Sequence, residues 1–354
     1  MSLELHPHFQ ISGSAEQRGF QYGELASSYI CKNIEFYKKM FASYGISWEK
    51  AKSAALQYVP HIQNYLPQAL TEMRGIAKGS NKSFEDILTL NCRSEIIFAM
   101  PNGCSSIGAL PEQTENAHTY LGQTWDWLKE ANETTIILEI HPDQGPSLLI
   151  CAEAGIIGGK GLNSSGIGVC LNALSIGEGT LGVPLHVMYR AILSQTTISN
   201  ALDCVAHPQR AGCGNFAIGS GEGFLMNVEF TPYNFDVLMP TQSLMCHTNH
   251  YLSPLFQGQD SFKRDLCDTF VRLNRLQRLA MNSSYPLTKE KLKVFLSDHK
   301  NYPDSICSHE DQKDPVGKRL STVYAVLMDL NECSLEVTPS APCESSFRTY
   351  TLDH

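Results

Sequence analysis

Cys104 follows directly on Gly103 in the stretch MPNGCSSIGAL, with no histidine close by in sequence to act as its base. Glycine lacks a Cβ, so the peptide bond it shares with the cysteine is open to close approach and unusual geometry. A thiol there can attack the carbonyl carbon of the preceding residue, giving a thioester that water opens. The chain would then end at Gly103 and restart at Cys104. The new α-amine, with an ordinary pKa of about 7.7–8.0, would itself be the missing base. The plainer reading of the dipeptide is a buried thiol beside an Asn-Gly turn.

Other polar residues can complete such a site. Asp126, in LGQTWDW, follows an expected hairpin between Cys104–Ser106 and Tyr120–Trp125, where a carboxylate can hold the α-amine or a polar group of a substrate. Asn172 ends the run GIGVCLN, where an amide can face a site. The side-chain NH2 of Asn249, in LMCHTNHYL, is a standard oxyanion donor. Arg319, just ahead of STVYAVLMD, can orient the nucleophile or bind a carboxylate. His247 and His250 lie three apart without a third ligand nearby, so they are read as hydrogen-bonded rather than metal-bound, and no metal site is expected. They leave open a conventional, uncut cysteine hydrolase in which one of them serves Cys104. The glycine-rich EAGIIGGKGLNSSGIGV lacks the Gly-Lys-Ser/Thr of a phosphate-binding loop and the spacing of a dinucleotide fingerprint, and reads as hairpin turns with close backbone packing.

These residues need a scaffold, and the patterning supplies one. The first third reads as helical: Ser14 to Gln17 is a capping-box pattern, Ser83 opens another helix, Gly23 weakens the first run, and Pro60 and Pro67 break a third region. After Cys104 come short β-favouring runs, TYLGQTW, TTIILEIH, SLLICAE, GIGVCLNA, NFAIGS and FLMNVEF, and the chain ends on STVYAVLMDL, CSLEVTP and SSFRTYTL. Helices are expected around 184–205, 260–281 and 288–298. The pattern predicts an α+β layered architecture in a single domain spanning 1–354. With 42% hydrophobic residues and 18% charged, the chain has the composition of a globular enzyme. A net charge of −9 without basic runs argues against a nucleic-acid partner. No signal peptide, membrane-length apolar run or peroxisomal ending is seen, so a cytoplasmic protein with no membrane partner is expected. Twelve scattered cysteines without a C-x-x-C pair suit reduced, mostly structural thiols, among them Cys170 in an apolar run.

In combination, EMRGIAKGSN, LNCRSE, NGCSS, LGQTWDW, EAGIIGGKGLNSSGIGV, GVPLHVMYRAIL, CHTNH and NYPDSIC resemble the acyl-coenzyme A:6-aminopenicillanate acyltransferase (isopenicillin N acyltransferase) family of N-terminal-nucleophile hydrolases. The resemblance implies a four-layer αββα sandwich and a precursor that cuts itself between Gly103 and Cys104. The fragments 1–103 and 104–354 would stay together as an αβ heterodimer. It further implies that Cys104 forms an acyl-thioester and passes the acyl group to an amine or to water, that Asn249 supplies the oxyanion hole, and that Asp126 and Arg319 order the site. Asn172 fits an asparagine of the wider bile-salt-hydrolase-like superfamily, and Ser106 lies where the family has a small hydroxyl residue. No cofactor is implied, a coenzyme A thioester being an acyl-donor substrate; the other partners are a small amine or an N-acyl amide. Where the penicillin-making enzyme has paired phenylalanines, this chain has Trp127 and Leu128, both expected at the substrate, and Ser308 replaces an arginine after SIC. These departures bear on the substrate and leave the thiol chemistry in place. A non-catalytic binding descendant of the fold is the remaining alternative.

Overall fold

The computed structural model describes residues 5–97, 103–315, 317 and 319–352. Met100 to Asn102, just ahead of the candidate nucleophile, lie outside the described residues. Strands β1 (His8–Gly13), β4 (Thr135–Pro142), β5 (Leu148–Glu153), β6 (Lys160–Asn163), β7 (Ile167–Asn172), β8 (Gly214–Ser220), β9 (Phe224–Phe230) and β10 (Phe235–Leu238) form one sheet in that order. The second sheet runs β11 (Leu244–His247), β2 (Gly103–Ala109), β3 (Tyr120–Trp127), β12 (Ser321–Asp329), β13 (Ser334–Val337) and β14 (Arg348–Thr351). All neighbours are antiparallel except β1, which pairs parallel to β4.

The two sheets face each other through β2 and β3 against β7, and β12 against β6. Helices α1 (Ala15–Leu25) and α2 (Ser27–Ser43), with α3 (Trp48–Leu56), α4 (Val59–Tyr65), α5 (Pro67–Ser80), α6 (Phe84–Asn91) and α7 (Arg93–Ile96), build the layer that reaches the first sheet through α1. Helices α8 (Leu185–Leu193) and α9 (Ile198–Ala206) join it there, while α10 (Asp268–Asn282) and α11 (Lys289–Leu296) cover the second sheet. This is the expected αββα order. With both faces of each sheet covered, β2, β3, β8 and β12 are buried along their whole length, which explains why they read as unbroken β-favouring runs rather than alternating ones.

The capping boxes at Ser14 and Ser83 are present. Other expectations need correcting. The first third contains β1, whose short polar sequence HFQISG gave no strand signal; its partner β4 recruits it. Pro60 and Pro67 stand in the first turns of α4 and α5, where the missing N–H costs nothing, and so start helices instead of breaking one. Gly23 is no weak point: α1 crosses α5 glycine on glycine, and a Cβ on Gly23 would lie 2.3 Å from the Ile76 carbonyl oxygen. The helix expected from 260 begins at Asp268, because Asp260 holds the preceding loop by accepting from the Tyr251 and Lys263 amides.

Candidate active site

Cys104 is the second residue of β2, not part of a loose turn, and is almost wholly buried between β11 and β3. Its backbone N–H donates to Asn249 Oδ1 at 2.9 Å. The same oxygen accepts from Arg272 Nη2 at 3.0 Å, and Asn249 Nδ2 donates to the Ala173 carbonyl at 3.1 Å. Two obligate donors on one atom and a carbonyl on the other fix the amide's orientation. Thus Asn249 turns its oxygen, not its NH2, toward the nucleophile's backbone nitrogen in the intact chain. The first turn of α10 holds this asparagine: Thr269 Oγ1 accepts the Asn249 amide at 2.8 Å. Arg272, on the same helix face, donates to the Cys104 carbonyl at 2.9 Å and to Ser105 Oγ at 3.0 Å, braced by Asp268 at 2.6 Å.

Asp126 lies opposite Gly103 in the β2–β3 ladder. A Cβ built on Gly103 would fall 2.5 Å from Asp126 Oδ2, so the glycine is required because the carboxylate sits on it. Gly103→Ala is expected to push the carboxylate aside and slow any reaction that depends on it at least tenfold, without unfolding the sheet; a time course of the Gly103→Ala chain on denaturing gels checks this. Asp126 Oδ1 accepts from Thr322 Oγ1 at 2.6 Å. Burial raises its pKa to about 6 against the opposing pull of Arg272 and Thr322.

Asn172 reaches across from the other sheet. Its Oδ1 accepts from Ser106 Oγ at 2.8 Å and its Nδ2 donates to the Cys104 carbonyl at 3.4 Å. Asn215 Nδ2, which donates to both Asn172 Oδ1 and Asn227 Oδ1, extends this amide ladder between the sheets. Ser106 therefore serves the ladder and does not line the cavity beside the thiol.

That cavity, about 1050 Å³ of empty space including the part open to solvent, is lined by Cys104, Trp125, Trp127, Tyr189 and Tyr324 together with Arg93, Glu95, Glu153 and His186. Trp127 lines this cavity, stacked on Trp125 at 6.2 Å between ring centroids. Leu128 does not line it and packs into the main core. Burial raises the thiol to about 11, with Lys160, Arg272 and a hydrogen bond to the Ala173 backbone pulling the other way.

Lys160 and Arg272 escaped the sequence reading. Lys160 Nζ lies buried 4.7 Å from the Trp125 ring centroid and 5.3 Å from that of Tyr324, with no carboxylate ion pair among the described residues. Ring faces contribute about 0.5–2 kcal/mol each, less than the several kcal/mol that dehydrating an ammonium costs. Burial accordingly lowers its pKa. A lysine inside a buried β run, GKGLN, was the available signal. Arg272 had none, since it resembles Arg275 and Arg278 on the same helix.

Arg319 is not brought to the thiol. Its guanidinium donates to Gln312 Oε1 and O and to the Asp314 carbonyl, within its own loop, and Arg272 stands where an arginine was expected. His247 is committed elsewhere: Nε2 meets Glu229 at 2.7 Å and Nδ1 the Thr248 carbonyl at 2.8 Å. His250 meets Thr269 Oγ1 at 2.9 Å, and burial lowers its pKa to about 4. Neither pairing supports a histidine base for Cys104. Away from this site, His299, Cys307, His309 and Cys343 gather their donor atoms within 4.8 Å of one another.

No helix among the described residues is long and apolar enough to cross a membrane. Among solved structures, the chain is similar to penicillin V acylase from Agrobacterium tumefaciens, at 12% identity and a TM-score of 0.47 over 71% of this chain and 86% of that one. It is similar to a mutant conjugated bile acid hydrolase from Clostridium perfringens at 10% identity and a TM-score of 0.46, over 71% and 97%. Over 333 residues it is 28% identical to the acyl-coenzyme A:6-aminopenicillanic-acid-acyltransferase 40 kDa form of Emericella nidulans, covering 91% of this chain and 89% of that protein. The profile of the acyl-coenzyme A:6-aminopenicillanic acid acyl-transferase family matches residues 113–341, well over half of the sequence, and the chain belongs to that family.

Proposed function

We propose that the chain cuts itself between Gly103 and Cys104 and then works as an acyltransferase or amidohydrolase with the Cys104 thiol as nucleophile. In the first stage Sγ adds to the Gly103 carbonyl carbon, the C–N bond breaks, and the departing nitrogen takes the thiol proton. Water then opens the thioester, leaving a carboxylate on Gly103 and a free thiol and α-amine on Cys104. The observation that carries this reading is the hydrogen bond from the Cys104 N–H to Asn249 Oδ1. The nitrogen that would become the catalytic base is already seated, with Asp126 across the ladder from Gly103.

In the second stage Sγ takes the acyl group of an amide or of a coenzyme A thioester, and an amine or water removes it. The seated α-amine carries the proton between them, which a thiol raised to about 11 by burial requires. The cavity suits a small molecule with an apolar portion against Trp125, Trp127 and Tyr324. A polar portion could meet Glu95 Oε2, His186 Nε2 and Tyr189 Oη, buried atoms of the lining with no protein partner among the described residues. By analogy with the Emericella nidulans protein, the first acceptor to test is 6-aminopenicillanate. The two fragments would stay associated, since β1 of the smaller one pairs with β4 of the larger and the buried Glu72 of the smaller one accepts from Arg190 of the larger.

Incubation with an acyl-coenzyme A, with and without 6-aminopenicillanate, followed by intact mass spectrometry should show fragment 104–354 heavier by one acyl group. An enzyme that never carries acyl on that fragment would overturn the reading. The pH profile gives a second check. Asp126, raised to about 6, is a carboxylate only above that pH, and only then can it hold the cationic form of the α-amine. Turnover should therefore rise through pH 6, and Asp126→Asn should be slower by at least tenfold and lose that inflection.

A further inference from the structure

We propose that His299, Cys307, His309 and Cys343 form a structural zinc site of the two-sulfur, two-nitrogen type. His299 follows α11, Cys307 and His309 lie in the segment leading to β12, and Cys343 lies between β13 and β14. The Cys307 and Cys343 sulfurs are 3.6 Å apart, and the His299 and His309 Nε2 atoms 3.0 Å apart. His309 Nε2 is 3.5 Å from the Cys343 sulfur and 3.9 Å from that of Cys307. A tetrahedral zinc, with bonds of about 2.3 Å to sulfur and 2.0–2.1 Å to nitrogen, sets edges of about 3.8 Å for S–S, 3.6 Å for S–N and 3.3 Å for N–N. Four of the six edges stand within a few tenths of an ångström of those values, and all four donor atoms lie within 4.8 Å of one another.

Two simpler accounts fit less of this. A Cys307–Cys343 disulfide needs sulfurs at about 2.05 Å and leaves the histidines unexplained. A histidine–histidine hydrogen bond explains the 3.0 Å contact but not why two thiols converge on the same imidazole. The donor set is soft and borderline, which excludes calcium and magnesium, and four protein ligands leave no open position for substrate. The site is therefore a clamp and takes no part in the reaction.

What it clamps is the back of the active site. Cys307 N–H donates to the Asp298 carbonyl, and the Asp298 carboxylate takes two bonds from Arg275 of α10. Ser308, the next residue, donates its N–H to Thr322 Oγ1 at 2.8 Å, and Thr322 in turn donates to Asp126 at 2.6 Å. The metal would tie this loop to the β13–β14 connection at Cys343. The donors are spread over separate loops, which is why their sequence spacing gave no sign of them. The inference stands on these four residues alone, whatever reaction Cys104 performs.

Metal analysis by plasma mass spectrometry on the full chain, produced with zinc present and purified reduced without chelator, tests it. About one zinc per chain is expected, falling below roughly a tenth of that in Cys343→Ser and His299→Ala and unchanged in Cys31→Ser. His299 and Cys343 are exposed, so these variants should fold, with circular dichroism as the check. Cobalt(II) in the wild-type protein should give the visible bands and thiolate charge-transfer of a tetrahedral sulfur–nitrogen site, a readout that needs no variant. A reduced wild-type protein without zinc that also takes up no cobalt, zinc retained equally in the ligand variants, or a Cys307–Cys343 disulfide in the purified protein would each overturn the proposal.

Discussion

Cys104→Ala will remain a single chain on a denaturing gel, while the wild-type protein resolves into fragments 1–103 and 104–354, the larger beginning Cys-Ser-Ser-Ile-Gly. The substitution removes the thiol proposed to attack the Gly103 carbonyl and spares the Asn249 and Arg272 bonds, which run to the backbone of residue 104. The uncut variant should therefore fold and keep its secondary structure. Its acyl-transfer rate should fall by roughly three orders of magnitude or more, as for removal of a covalent nucleophile elsewhere. Cys104→Ser separates two effects: an alcohol can still cut the bond, slowly, yet forms an ester that turns over less readily. A wild-type preparation that is fully active as one intact chain would sink self-processing, and a cut chain whose Cys104→Ala variant is also cut would assign the cleavage to something other than this thiol.

The thiol, its glycine and the partner carboxylate were legible from sequence because they sit on consecutive strands of one hairpin, where register follows from pattern. Asn172 and Asn249 were legible as residue types at strand ends. Their actual contacts were not, because they depend on how two sheets and a helix approach one another. Asn249 shows the difference. Its amide reads as an oxyanion donor, but in the folded chain the oxygen cradles the Cys104 nitrogen and the NH2 meets Ala173. To act as an oxyanion donor it would have to exchange the Ala173 carbonyl for the substrate's. Lys160 and the Cys307 cluster were missed for a common reason: burial and convergence of charged or ligating side chains are properties of tertiary packing.

The arginines offer the sharpest contrast between the two readings. Sequence resemblance points to Arg319, whereas the fold places Arg272 at the nucleophile. Arg272 holds Cys104, Ser105 and Asn249 at once, and its charge is one of the influences favouring the thiolate. Arg272→Met should slow chain cleavage and turnover roughly 100-fold, the equivalent of losing about 2.7 kcal/mol of charge-assisted hydrogen bonding. A purely structural loss would leave the thiol's titration where it was. Loss of the nearby cation should instead move the pH profile of thiol alkylation upward, with Arg272→Lys recovering part of the shift. Arg319→Ala, whose bonds close only its own loop, should stay within about threefold of wild type. If Arg319→Ala proves the more damaging, the site of the intact chain is not the one that turns over.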